Sequence, residues 1–376
     1  MANNFSAPAT QPVALGFRLK FYNDPMLLDG IFAAVPTPFY PDERVYLRKV
    51  EANTAHYSRT LLAGILILGS TGEAVSVNDA ESRDILRVAA EAAAPDKVLI
   101  AGAARESVRG TVEMAEIAAE YKYDAVLVRT PTYFAAQMTP AAVLHYYRSV
   151  ADRSPLPVIL YNIPQCAPYN IPVELVAELA HHPNIIGIKD SSGSLDRIKA
   201  QVELTRNAPR RTVPVTHVFA AVTARMLSPK TQSAGSFIAA SELTSGPAEA
   251  AAAPAPALKT RTKEVGFQVL TGSASILLDS LEAGACGAIL GFAACAPQAC
   301  CEVYSAWKEH DLALAQQKQE RILAPSQRIV AQLGINGVKY ACDFNGYYGG
   351  LCRAPQLPLT AGNKTEIETL LATIRS

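Results

Sequence analysis

A chain of 376 residues can bury a large core, and its 49% apolar and 18% charged residues describe a folded globular protein rather than a disordered one. The 34 basic and 34 acidic residues cancel, so no bulk field draws the chain to nucleic acid or to an anionic membrane. No uninterrupted apolar run is long enough to cross a bilayer.

The seven cysteines are an odd number for a closed disulfide framework, Cys300 and Cys301 are adjacent, and no pair has the C-x₂-C spacing of a zinc site. Thiols in a reducing compartment are therefore expected, with a cytoplasmic location. Residues 1–28 read as an N-terminal extension without the cationic start, apolar stretch and cleavage site of a secretory signal; an organellar transit segment is the alternative left open.

From there, short apolar and β-branched runs alternate with helix-like segments. The runs are Ile31–Val35, Ile65–Gly69, Val98–Gly102, Ala125–Arg129, Val158–Asn162, Ile185–Lys189, Phe267–Thr271 and Gly287–Gly291. The first six begin 34, 33, 27, 33 and 27 residues apart, the length of a strand, a loop and a crossover helix. Eight such units predict an α/β fold, a closed parallel TIM (β/α)₈ barrel with helices outside. Between them, Asp79–Ala93 is amphipathic behind an Asn78 N-cap, Ser107–Tyr121 repeats the pattern, and Pro172–His181 starts with a proline where the first turn tolerates one.

The period breaks once, with 82 residues between the sixth and seventh runs. The excess predicts an insertion over about 208–263, in which Thr212–Val222 alternates enough for a strand or flap and Thr244–Ala257 is an Ala/Pro-rich loop. As an αβ connection it belongs at the N-terminal end of the barrel, away from the usual active-site face. The expected organisation is a barrel over 29–312 and a C-terminal helical region over 313–376, with Cys300–Gln332 and Asn363–Ile374 helical.

Polar residues at C-terminal strand ends take their meaning from the barrel. Alternation in Ile185-Ile186-Gly187-Ile188-Lys189-Asp190 puts Gly187 and Lys189 on one face, so Lys189 either points to solvent or is held in the barrel mouth. A lysine that forms a Schiff base must spend time as the free amine, which desolvation in a barrel mouth favours. Asp190 would oppose that and is expected to point away into a structural hydrogen bond. Tyr161, ending the preceding run, is either a proton shuttle or a core tyrosine bonded to backbone. Gly69-Ser70-Thr71-Gly72-Glu73 can expose amides and hydroxyls to a carboxylate or be a plain turn, and it has neither the spacing nor the lysine of a nucleotide loop. Thr130–Phe134 carries an exposed aromatic.

His181 and His182 read as helix-end caps, and His56, His145, His217 and His310 are scattered, so no metal and no cofactor are expected. No G-x-S-x-G nucleophile turn occurs. Tyr347–Gly350 with Cys352-Arg353 forms a turn that either packs over the barrel or lines a carboxylate site.

In this order, Thr37-Pro38-Phe39, Gly69–Glu73, Tyr133, Tyr161-Asn162-Ile163-Pro164 and Gly187-Ile188-Lys189-Asp190 resemble the dihydrodipicolinate synthase/N-acetylneuraminate lyase family, over about Gly30–Arg206 and Phe267–Pro355. The resemblance implies class I aldolase chemistry on a 2-keto acid. It makes Lys189 the Schiff-base lysine, Tyr161 the proton shuttle, and Ser70 and Thr71 the hydroxyl pair on the pyruvyl carboxylate. Tyr133 becomes an aromatic that crosses a dimer interface into the neighbouring site, and the assembly a homotetramer of two dimers. Gly69, Cys166, Ser191 and Ile289 join the substrate-binding candidates. Where the synthases carry an arginine after Tyr-Asn-x-Pro this chain has Gln165 and Cys166, so a carboxylate clamp is missing there. Gly334–Gly337, Gly346–Gly350 and Cys352–Pro355 resemble instead the mitochondrial-type 4-hydroxy-2-oxoglutarate aldolases, although that subgroup has asparagine in place of Thr71. Cleavage of a 4-hydroxy-2-oxo acid to pyruvate and an aldehyde is the activity implied. Dihydrodipicolinate synthase, a sugar-acid lyase, a keto-deoxy acid dehydratase and a non-catalytic keto-acid-binding barrel remain the alternatives.

Overall fold

In the computed structural model, residues 26–167, 169–228 and 258–374 are described. Most of the expected N-terminal extension and the Thr244–Ala257 loop lie outside them.

Eight parallel strands close into a barrel: β1 (Gly30–Ala34), β2 (Gly64–Ile67), β3 (Val98–Gly102), β4 (Ala125–Arg129), β5 (Val158–Asn162), β6 (Ile185–Asp190), β9 (Gln268–Thr271) and β10 (Gly287–Leu290). The order around the barrel is β1-β10-β9-β6-β5-β4-β3-β2, which leaves no edge. The remaining two strands, β7 (Arg211–Thr216) and β8 (Thr260–Val265), form a separate antiparallel pair.

Alternation along each strand divides the core into two. Phe32, Leu66, Ile100, Leu127, Ile159 and Ile289 fill the interior, while Ala33, Ile65, Leu99, Val126 and Leu160 face the helices outside. Asn78 caps the helix Asp79–Ala92 through a full capping box with Glu81, a feature typically worth ~1 kcal/mol. Pro172 is the N-cap of Val173–Leu179 rather than its first residue. β2 stops two residues before the expected Gly69 because Leu68 adopts a left-handed φ of 58°, which turns the chain into the following loop. Cys300–Gln332 is interrupted: Pro297–Lys308 ends near His310, and Leu312–Ser326, with Pro325 inside it, passes into a π-helical stretch over Gln327–Gln332.

The insertion lies across the N-terminal end of the barrel. Arg211 donates to the carbonyls of His182 and Ile185 where β6 begins, and Lys263 pairs with Asp29 before β1 at 2.8 Å. Farther along, Thr223 and Arg225 bond the carbonyls of Pro95 and Lys97 beside β3. The strand-end residues Arg129, Asn162 and Asp190 lie at the opposite end. No helix among the described residues is long and apolar enough to cross a membrane.

Candidate active site

β5 and β6 pair in register Tyr161↔Lys189 and Asn162↔Asp190, and β4 adds Arg129↔Tyr161. Tyr161 belongs to the interior cluster, and Lys189 lies beside it at the C-terminal mouth. Both are nearly inaccessible, Lys189 at 4% and Tyr161 at 5%, and the Lys189 Nζ sits 4.4 Å from the centre of the Tyr161 ring. Of the two directions open to Lys189, the fold selects the mouth. An amine so placed is desolvated and can reach a carbonyl carbon entering from above.

The acid next to it is turned away, as expected. Asp190 accepts from Gln201 Nε2 at 2.6 Å, Ser192 N at 2.8 Å, Asn162 Nδ2 at 3.0 Å and Arg197 Nε at 3.3 Å. Its charge is thereby spent on donors on the outer side of β6. Gly187, two residues before Lys189, lets β9 approach: a Cβ there would lie 2.3 Å from the Gln268 carbonyl oxygen.

A hydroxyl pair arrives from the loop after β2. Ser70 Oγ lies 3.4 Å from Tyr161 Oη, a long hydroxyl–hydroxyl contact in which either can donate. The loop is a compact turn, with Gly72 N–H on the Gly69 carbonyl at 3.0 Å and Glu73 N–H on that of Ser70 at 3.1 Å. Thr37 Oγ1 donates to the Gly72 carbonyl at 2.6 Å and fixes it from β1's side. Thr71 is half-buried beside Gly291, where a Cβ would come within 3.2 Å of its Oγ1. Ile289 is buried in the barrel interior.

Ser191 is held by its own N–H on the Asn162 carbonyl at 2.8 Å and by Gln165 Nε2 on its carbonyl at 3.0 Å. A Cβ at Gly272 would lie 1.9 Å from Ser191 Oγ, so the serine occupies the space glycine leaves. Cys166 is exposed at the same rim; partial desolvation raises its thiol, opposed by the positive charges of Arg129 and then Lys189.

Tyr133 does not join this group within one protomer. It is 81% exposed, with its ring edge-on to Phe134 at 5.0 Å. Arg353 packs rather than lining the mouth, donating to Glu81 Oε1 at 2.5 Å and to the carbonyls of Glu43 and Ser76. His181 Nδ1 lies 3.0 Å from the Ala177 carbonyl and His182 Nε2 2.9 Å from Asp152, both at a helix end. Among the described residues no group of three His, Cys, Asp or Glu side chains is placed to hold a metal ion.

Two charge pairs around the mouth escaped the sequence reading. Glu73 is buried against Lys339, and Arg129 pairs with Glu106 at 3.0 Å. The second was available from alternation, since Ala125 and Leu127 point inward and Arg129 shares their parity. The first joins residues far apart in the chain and had no local signal.

The chain matches the model of the "Dihydrodipicolinate synthetase family" over residues 27–210 and 255–374. A 4-hydroxy-tetrahydrodipicolinate synthase of Acidiphilium cryptum is 26% identical over 345 residues, 92% of this chain and 98% of that protein. An L-threo-3-deoxy-hexylosonate aldolase of Hypocrea jecorina is 27% identical over 351 residues, 92% of this chain and 95% of that one. Among solved structures, a prophage protein of the dihydrodipicolinic acid synthase family from E. coli K12, in complex with pyruvate, superposes with a TM-score of 0.73 at 23% identity, covering 93% of this chain and 99% of that one. The chain therefore belongs to the dihydrodipicolinate synthetase family, a family of class I, Schiff-base aldolases and lyases that act on keto acids.

Proposed function

We propose that the protein cleaves a 4-hydroxy-2-oxo acid, such as 4-hydroxy-2-oxoglutarate, into pyruvate and an aldehyde. The observation that carries this reading is the desolvated Lys189 amine over the Tyr161 ring, with Ser70 3.4 Å from the phenol oxygen. Lys189 adds to the C2 carbonyl and water leaves, giving an iminium that accepts the electron pair of the breaking C3–C4 bond. Tyr161 gives its phenol proton to the departing water and then takes the C4 hydroxyl proton, with Ser70 as relay. The aldehyde departs, glyoxylate in the case of the oxoglutarate. The enamine is protonated at C3, and hydrolysis frees pyruvate and the lysine.

Ser70 and Thr71, with Gly69 at the turn, hold the C1 carboxylate, while Ser191, Cys166 and Ile289 border the remainder of the substrate. The absence of arginine at Gln165 and Cys166 favours cleavage over condensation with aspartate semialdehyde. In the same reading the chain assembles as a homotetramer of two tight dimers, and the exposed Tyr133 and Phe134 meet the neighbouring protomer; their 81% and 61% exposure supports this. A sugar-acid aldolase is the second reading, favoured by the relative named L-threo-3-deoxy-hexylosonate aldolase.

Pyruvate release from 4-hydroxy-2-oxoglutarate and from a 3-deoxy-2-oxo sugar acid, measured side by side, tests the assignment. Faster release from the dicarboxylate supports the first reading and faster release from the sugar acid the second. Release from neither sinks both.

A further inference from the structure

The barrel mouth holds a second cation that the chemistry above does not use. Arg129 ends β4, its side chain is only 14% exposed, and it shares the inward parity of Ala125 and Leu127. It stands beside Tyr161 in register, and Tyr161 stands beside Lys189. Two inter-strand steps of about 4.8 Å therefore separate the Arg129 and Lys189 backbones, a gap that an extended five-carbon acid and an arginine side chain span together. The positive charges of Arg129 and then Lys189 both oppose the rise of the Cys166 thiol, so both cations lie near this rim residue.

The guanidinium is only partly committed. Of its five N–H donors, one goes to the Thr130 carbonyl at 2.9 Å and one to Glu106 Oε1 at 3.0 Å. Glu106 is shared in turn with Thr132 N at 2.8 Å, Thr132 Oγ1 at 3.0 Å and Tyr133 N at 3.0 Å, so it does not neutralise Arg129 alone. What remains is a fixed, half-satisfied fork of donors on the far side of Tyr161 from the amine, a geometry suited to a planar carboxylate.

We infer that Arg129 is a specificity-determining residue that binds the distal carboxylate of a dicarboxylic 2-oxo acid whose C2 carbonyl faces Lys189. This rests on the keto-acid reading of the mouth and narrows its substrate class to five-carbon dianions. Glu106 is a positioning residue, holding the guanidinium and the Thr132–Tyr133 segment together.

The test is calorimetric titration of the full chain with 2-oxoglutarate and with 2-oxopentanoate, which lacks only the second carboxylate, in wild type, Arg129→Gln and Arg129→Lys. The wild type is expected to prefer 2-oxoglutarate, Arg129→Gln to lose about 10- to 100-fold on that ligand alone, and Arg129→Lys to fall between. No preference in the wild type overturns the inference, as does equal weakening of both ligands, which marks Arg129 as a loop anchor. If Arg129→Gln does not fold, the wild-type preference and its reduction in Arg129→Lys decide the matter. Borohydride trapping of pyruvate on the same proteins reports separately on the imine: an adduct without a 2-oxoglutarate preference rejects the role of Arg129 and keeps the aldolase, and a preference without an adduct does the reverse.

Discussion

Lys339 and Glu73 form an ion pair of 2.5 Å with side chains 1% and 2% exposed, and it ties the helix Gly334–Phe344 to the loop that carries Ser70 and Thr71. Lys339 Nζ also donates to the Leu351 carbonyl at 2.7 Å and lies 4.4 Å from the Phe39 ring centre, while the Arg353 N–H donates to Glu73 Oε2 at 3.1 Å. Glu73 adopts a left-handed φ of 52°, a conformation that these contacts hold. The C-terminal region is thereby part of the scaffold behind the loop.

Removing one partner leaves a buried charge unpaired. Lys339→Met is expected to cost about 3–5 kcal/mol in urea unfolding, and Lys339→Met with Glu73→Gln less than that single change. A loss below ~1 kcal/mol for Lys339→Met would show that water reaches the pair.

Tyr161→Phe removes the phenol and keeps the ring under Lys189. Pyruvate release should fall about 100- to 10,000-fold while the lysine still forms an adduct with pyruvate. Unchanged turnover would remove Tyr161 from the proton path. Ser70→Ala should act in the same direction and less severely, because water can replace its hydroxyl.

Gly272→Ala inserts a methyl 1.9 Å from Ser191 Oγ. Displacement of Ser191 should raise KM for the 4-hydroxy-2-oxo acid, with ~1–3 kcal/mol of overpacking visible in thermal unfolding. A destabilised variant with wild-type KM would take Ser191 out of the substrate site.

Partial burial pushes the Glu106 carboxyl up, but the Tyr133 and Thr132 N–H groups, the Thr132 hydroxyl and the Arg129 guanidinium outweigh it and hold the carboxyl below the ordinary range. A depressed folded-state value contributes stability that is present above the ordinary carboxyl value of 4.5 and is lost as pH falls through the folded one. Glu106→Gln should therefore flatten the fall in melting temperature below pH 4.5. An unchanged slope would mean that these contacts do not persist in solution.

What was legible in the sequence followed the range of the interactions. Apolar runs of four to six residues, as in Val158–Asn162 and Ile185–Asp190, signal their own strands, and alternation puts Gly187 and Lys189 on one face. Which face that is depends on the register shift between β5 and β6, which pairs Lys189 with the inward Tyr161. Half of the inserted hairpin was readable, because Val213 and Val215 recur at the two-residue period of a strand, and both are buried. The other strand, Thr260–Val265, is almost wholly exposed and reads as a charged connection. The early end of β2 depends on a left-handed leucine, which no propensity anticipates. The Glu73–Lys339 pair and the Asp190 donor set depend on which helices the barrel brings alongside.

The most direct test of the central claim is peptide mass analysis of the full chain after incubation with pyruvate and borohydride, with Lys189→Ala in parallel. The account predicts one pyruvate-derived adduct, on the peptide that contains Lys189, and none in the variant. A folded wild-type protein without that adduct, or one that carries it on another lysine, would contradict Schiff-base chemistry at Lys189.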